Sequence, residues 1–415
     1  MNRLVSHGLA IALATTLHGQ VYDFSAASAH LDANLAVFNN RILVIVEHET
    51  MGEIFRYRSG LISQDTKLAI ASASKWLSAA IVLSCTEKGL FNMDDRVGQY
   101  LPIFDTYGKG HITIRQCFSM KSGLSLADPA YELDSSLTLQ QSVDLIAANT
   151  PIVFTPGTML DYQADGMQTV GRICEVVTGK DWRTLAREVL FDPLNMPEAD
   201  YNTFGLNPAV AGGARCSAAE YLKFLRMILR NGLADNGNVI LSSRSVQEFF
   251  TNQTYGLPEY YSPIQDSGFY VYGERPDYGM GSWVMAQNPA GGAVEEVASP
   301  GAFGTFPWVD RKRQLRGIIF MLGVGSTAWQ ASVELQSILR AEIDLKGLPA
   351  EEPPGPVTSS RVPGYLKLSW PGDGELETST DFKTWVPLSW ASSPFHESLD
   401  RPPGIKMFYR VRRTL

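Results

Sequence analysis

The sequence predicts an α/β fold in which strands near both ends of the main domain make one sheet and the helices between them form an inserted all-helical domain. A small separate β module follows. Three observations carry this reading: β-type runs at 41–57, helical periodicity from residue 72 to about 232, and a return of strand character at 281–322 ahead of a Pro-rich stretch. A chain of 415 residues with 45% hydrophobic content is long enough to bury a large core and to hold two or three structural units.

In chain order, Arg3 precedes the short apolar run Gly8–Leu17, with the small residue Gly19 after it. That run is too short to span a bilayer and reads as a signal peptide over residues 1–19, which would place the mature protein outside the cell or in the periplasm. The other reading is an ordinary N-terminal helix that packs on the domain. Arg41–Glu47 and Ile54–Tyr57 are β-type runs joined by a turn at Met51–Gly52, a hairpin that begins the sheet. From Ser72 to about Lys88 the apolar residues Leu77, Ala80, Ile81 and Cys85 follow helical spacing, and Gly89 stands where the helix stops. Further helices are expected at Leu137–Asn149, Gln168–Val177, Trp182–Leu190 and Ala218–Asn231, the last closed by Gly232. Strands return at Gly281–Ala286, Gly304–Val309 and Arg316–Leu322, followed by a helix over Ala328–Leu345. The main domain then covers 20–348, and a cleft between its two lobes is the expected place for a small-molecule site.

Residues 349–356 form a linker, because proline and glycine at this density block both helix and sheet. Beyond it, Tyr365–Trp370 and Met407–Val411 alternate like half-buried strands, with turns at Pro371–Gly372 and Pro402–Gly404, so residues 357–415 read as the β module. Its Leu376–Trp385 and Phe408–Arg412 segments are similar to C-terminal β-sandwich modules of exported bacterial proteins, which also favours export.

A net charge of −8 and no run of basic residues argue against a nucleic-acid partner. Cys85, Cys117, Cys174 and Cys216 are widely spaced with no C-x-x-C pair, so zinc-ribbon and thioredoxin-like readings have no support. Buried free thiols are the expectation, with one disulfide open to an exported protein. No G-x-S-x-G elbow, H-E-x-x-H metal motif, or Walker or Rossmann glycine pattern is present, and neither a metal nor a cofactor is expected. His7 and His18 fall in the leader and His396 in the β module, while His30, His48 and His111 stand beside no motif. Nothing in the sequence specifies an oligomeric state.

Ser72-Ala-Ser-Lys75 supplies a nucleophile and a base. A serine hydroxyl is weak until a neighbour takes its proton, and a lysine can do so once burial lowers its pKa. Residues three apart share a helix face, so the two side chains meet at a helix N-terminus, where backbone N–H groups favour developing negative charge.

The segment Asp65–Lys75, then Gly89–Asp95, Val97 and Tyr100-Leu-Pro102, closely resembles the nucleophile region of the serine β-lactamase and penicillin-binding-protein family. The likeness is to the branch with class C β-lactamases, D-alanyl-D-peptidases and esterases. It continues in order through Ile112–Arg115, Ser122-Gly-Leu124, Pro156-Gly157 and Ala211-Gly-Gly213, and spans about residues 33–345. The resemblance implies an antiparallel sheet flanked by helices, with the helical domain inserted in it. Three catalytic residues are also implied: Ser72, Lys75, and Tyr162 of Tyr162-Gln-Ala164, whose phenol would ionise beside a Lys75 cation and work with it as general base and then acid. Where the family carries a Tyr-x-Asn, this chain has Ala164, with no amide to hold a substrate's acyl group.

The family's third motif, Lys-Thr-Gly or His-x-Gly, is replaced by Ser299-Pro-Gly301. The resemblance makes Ser299, Gly301 and Ala164 substrate-binding positions and the N–H groups of Ser72 and Ala302 the oxyanion hole. Gly301 would allow substrate close to the backbone. Ser299 brings no positive charge for a lactam or peptide carboxylate. The expected activity is therefore a carboxylesterase-like hydrolysis of small esters through an acyl-enzyme on Ser72. The alternatives are a β-lactamase or D-amino-acid peptidase, and an inactive exported binding protein. Tyr260, Tyr261 and Tyr272 are candidates to line an acyl pocket, with loop packing as the other reading.

Overall fold

The computed structural model describes residues 22–125, 130–263, 275–287, 293–323, 325–347, 357–370, 374–380, 383–388, 390–399 and 407–413. The expected signal peptide, the linker and the turns at 371–372 and 402–404 lie outside them.

Seven strands form one antiparallel sheet: β1 (Ile42–His48), β2 (Gly52–Ser59), β3 (Asp277–Tyr278), β4 (Trp283–Gln287), β5 (Val294–Ala298), β6 (Phe306–Asp310) and β7 (Leu315–Met321), in the order β2-β1-β7-β6-β5-β4-β3. The central β1 and β7 are buried along nearly their whole length, which explains why both read as continuous apolar runs rather than alternating ones. Their register places Val44 opposite Ile319. Two strands escaped the sequence reading for a physical reason. The first, β3, is two residues long, and the second, β5, carries Glu295 and Glu296 in its middle. Glu296 is nonetheless buried, its carboxylate gripped by Arg340 Nη1 at 2.6 and 2.8 Å. A charged residue can lie inside a sheet when its partner is buried with it.

Helices α1 (Ser25–Ala33) and α7 (Gly325–Lys346) pack on each other. Between β2 and β3 come α2 (Ser74–Glu87), α3 (Leu139–Asn149), α4 (Asp165–Thr178), α5 (Ala218–Leu229) and α6 (Ser243–Phe249). Capping boxes start α3 at Thr138 and α5 at Ser217, and Gly179 with φ 68° ends α4. The helix expected at 182–190 is α-helical only over Trp182–Ala186 and continues as a π-helical turn, Arg187–Phe191. Helix α2 is buried all round from Ser74 to Cys85, as a helix running through the middle of a domain must be. All four cysteines are buried free thiols, and the disulfide left open by the sequence is not formed. Among the described residues no helix is long and apolar enough to cross a membrane.

The C-terminal region holds two three-stranded sheets from β8 (Thr358–Val362), β9 (Tyr365–Ser369), β10 (Gly374–Ser379), β11 (Val386–Leu388), β12 (Phe395–Ser398) and β13 (Phe408–Arg413). They enclose a cluster of their own, Leu368, Trp370, Leu376, Leu388 and Phe395, apart from the main core. The region leans on the helical lobe through Arg244 Nε to Glu397 Oε2 (2.8 Å), Asn231 Nδ2 to Ser392 Oγ (2.8 Å) and Tyr365 OH to Glu87 Oε2 (2.8 Å).

Candidate active site

Ser72 lies in a 3-10 turn, Ala71–Ala73, that runs directly into α2. Ala71 has φ 46°, a left-handed backbone that a residue with a Cβ rarely adopts. The turn is held in this shape from several sides. The Ala73 N–H donates to Ile70 O (3.1 Å), Ile70 N–H to Ala214 O (3.1 Å), Tyr221 OH to Ala73 O (2.7 Å), and Ala214 N–H to Ser74 Oγ (3.0 Å). Such strain survives only where the surroundings over-determine it, and it is common at reactive groups.

One turn on, Lys75 Nζ donates to Ser72 Oγ at 2.9 Å and to Ala211 O at 3.1 Å. Its side chain is only 4% exposed, and burial brings its pKa down to about 7, with Glu132 pulling the other way. At neutral pH a large share of Lys75 is thus an amine with a free electron pair. Tyr162 follows the short strand Leu160–Asp161 just ahead of α4, and Ser72 and Trp283 both lie close enough to act on its phenol. Its ring stacks on Trp283 (centroids 5.0 Å, 18°) and meets Tyr278 edge-on (5.7 Å, 78°). Lys75 Nζ lies over that ring, 4.8 Å from its centre. Burial raises the Tyr162 phenol well above its ordinary range, more than the contacts with Ser72 and Trp283 lower it. The lysine moves down and the tyrosine up, so both shifts oppose the phenolate–ammonium pair expected from the sequence. The resting pair leans towards neutral amine and neutral phenol.

These groups border a cavity of about 400 Å³. Ala71, Ala164, Ala209, Ala211, Leu133 and Phe204 give it an apolar wall, completed by Tyr261, Pro263, Phe303 and Trp329. Ala302 also lines it, and among the described residues neither the Ala302 nor the Ser72 N–H has a backbone acceptor. Of the expected aromatics, Tyr261 lines the cavity, Tyr260 packs on Phe154 (centroids 5.6 Å), and Tyr272 lies outside the described residues.

Two expected substrate contacts are placed differently. Ser299 is 2% exposed and does not line the cavity; its hydroxyl donates to Ser72 O (3.1 Å) and Gly281 O (3.3 Å), so it ties backbone to backbone. At Gly301 the close neighbour is the chain itself. A Cβ there would stand 2.1 Å from Ile70 O and 3.3 Å from Ala73 N, which leaves no side-chain room between the two segments. Gly301→Ala is expected to cost about 1–3 kcal/mol of stability by forcing these backbones apart. It should also slow turnover more than it raises KM, because the Ser72 turn moves with Ile70. Thermal unfolding and steady-state kinetics on the purified variant check both.

Glu132, Gln163, Phe303 and Trp329 line the cavity without having been singled out in the sequence. Gln163 and Phe303 are chain neighbours of the motif positions Tyr162, Ala164 and Ala302, whereas no local pattern marks Glu132 or Trp329. Among the described residues, none from the C-terminal region lines it.

The chain is 25% identical over 319 residues to penicillin-binding protein 4 of Amycolatopsis lactamdurans, covering 64% of this chain and 82% of that protein. It is 31% identical to the esterase/beta-lactamase LipL of Mycobacterium tuberculosis over 137 residues, which is 32% of this chain and 30% of LipL. A crystal structure of a putative beta-lactamase from Bacteroides dorei superposes with TM-score 0.68 at 26% identity, over 77% of this chain and 99% of that one. The Beta-lactamase family model matches residues 3–333, a stretch that holds the whole sheet, the helical lobe and every residue of the cavity, and the chain belongs to that family.

Proposed function

We propose that the protein is a serine hydrolase that forms an acyl-enzyme on Ser72 and acts as a carboxylesterase on small esters. The observation that carries this reading is the 2.9 Å contact between Ser72 Oγ and a buried Lys75 whose pKa is down at about 7. In the first step Ser72 Oγ attacks the ester carbonyl carbon and its proton passes to the Lys75 amine. The carbonyl oxygen takes the negative charge and accepts from the Ser72 and Ala302 N–H groups, donors of a kind that contribute about 10²–10³ in rate each. As the C–O bond breaks, the leaving alcohol takes a proton from Tyr162 OH, which is refilled from the Lys75 ammonium. Water repeats the sequence on the acyl-enzyme: it loses a proton to the same pair, and Ser72 regains one when the acid leaves.

Esters are favoured over lactams because Lys75 is the sole cationic side chain among the described cavity residues, and it is engaged by Ser72. Ser299 offers nothing to a substrate carboxylate. The relation to a penicillin-binding protein supports a second reading, turnover of a lactam or a D-amino-acid peptide. The apolar run before residue 20 supports export as the setting.

A fluorophosphonate probe, a fluorescent penicillin and 4-nitrophenyl butyrate separate these readings. Fluorophosphonate labelling at Ser72 with ester turnover and no penicillin adduct is the expected result. A stable penicillin adduct without ester turnover would favour the second reading. Labelling by neither probe would leave the chain a binding protein.

A further inference from the structure

Glu132 borders the cavity beside Lys75 and does not belong to the acylation machinery. Its Oε2 is buried with no hydrogen-bond partner among the described residues. A carboxylate oxygen shut away from water and left without a donor is a costly group, and a turn of the Glu132 carboxyl towards the cavity it lines would let a ligand's N–H satisfy it. Glu132 also has a definite place along the cavity. Its charge acts on both Lys75 and Asp165, the residue after Ala164. Ala164 lines the same cavity and ends at its methyl group, so it offers no polar atom of its own to a substrate.

The rest of the wall sharpens the preference. Apart from Lys75, which donates to Ser72 and Ala211, the described cavity side chains carry no cation to neutralise Glu132. An anionic substrate would meet a carboxylate with no compensating charge, a neutral one would leave Oε2 unsatisfied, and an ammonium group would supply both charge and donor. Burial raises the Glu132 pKa while the nearby Lys75 opposes the rise, as expected for a carboxyl that gains when a second cation arrives.

We propose that Glu132 is a specificity-determining residue that accepts a hydrogen bond from an ammonium group on the substrate, so that the preferred esters bear a primary amine. The inference rests on the hydrolase reading above and narrows its substrate class. The amine can sit on the acyl or on the alcohol side, and two pairs of isosteric esters at pH 7 distinguish these. On the acyl side, the benzyl ester of alanine is compared with that of isobutyric acid, where a methyl replaces the ammonium. On the alcohol side, 3-aminopropyl butyrate is compared with butyl butyrate.

The wild-type protein should turn over one of the amine-bearing esters with kcat/KM at least about tenfold above its isostere, the effect of one charge-assisted hydrogen bond. In Glu132→Gln that ratio should fall to about one or below. Ratios near one for both pairs in the wild type would overturn the proposal, and so would a preference that survives Glu132→Gln. Competition with butyl butyrate hydrolysis requires no variant. Propylammonium should inhibit the wild type at concentrations at least about tenfold below those of 1-butanol, again the margin of one such bond, and equal inhibition would count against Glu132. Failure of the hydrolase reading looks different: neither isostere is hydrolysed and a fluorophosphonate leaves Ser72 unlabelled.

Discussion

Replacing Lys75 with Met is expected to lower kcat for a small neutral ester by at least about 10⁴-fold, since Ser72 then loses the amine that stands 2.9 Å from its hydroxyl. Methionine matches the length and apolar character of the lysine stem, so the helix packing around residue 75 should persist and circular dichroism should match the wild type. Lys75→Arg tests the base itself. A guanidinium keeps the charge but does not give up its proton in a protein, so this variant should be as inactive as the methionine one. Substantial turnover by the arginine variant would show that a positive charge, and not a base, is what position 75 supplies. In the wild type the same assignment sets the pH profile. The working form is the neutral amine, and burial brings the lysine to about 7, so kcat/KM should rise with pH through about 7 and level off above it. A profile flat from pH 5 to 9 would contradict the lysine as base.

Tyr162→Phe is the second large effect: a fall in kcat of about 10²–10⁴-fold, the usual contribution of a positioned proton donor, with KM changed little. Phenylalanine keeps the ring that stacks on Trp283 and lies under Lys75 Nζ, so the lost atom is the hydroxyl in contact with Ser72. Single-turnover experiments with a poor leaving group should show the largest loss, because there the leaving alkoxide most needs a proton. Esters of nitrophenol, whose leaving group departs without one, should be affected least. Equal rates for wild type and variant on both esters would mean that the hydroxyl takes no part in the chemistry.

Much of this site was legible in the sequence because its first members are local. Ser72 and Lys75 are three apart on one helical turn, and that spacing alone brings them together. Tyr162 was reachable through the order of its flanks, and Ala302 through the glycine-rich turn after Ser299-Pro300. Glu132 and Trp329 are members only by tertiary contact, and no sequence period links a loop before α3 to helix α7. The direction of the Ser299 hydroxyl was equally hidden, since it follows from where Gly281 crosses behind the nucleophile. The protonation states of Lys75 and Tyr162 depend on how much water the whole fold removes, a sum over residues scattered from 70 to 329. For the same reason β5 was missed while β1 and β7 stood out: Glu296 becomes a core residue only through Arg340, which lies far along the chain.

The missing side chain at Gly301 has a bearing on which substrates can be small. With the backbone at Gly301 seated against Ile70 O, the spacing between that segment and the Ser72 turn is fixed when the chain folds. Their alignment then draws nothing from the energy of substrate binding. Enzymes that must assemble such donors around a ligand depend on its remote groups to drive the closure, and truncated substrates react slowly in them. The two proposed donors, the Ser72 and Ala302 N–H groups, sit on these two segments, so an acyl chain of a few carbons should receive the same stabilisation of its oxyanion as a long one. Discrimination among acyl groups is left to the far wall of the cavity.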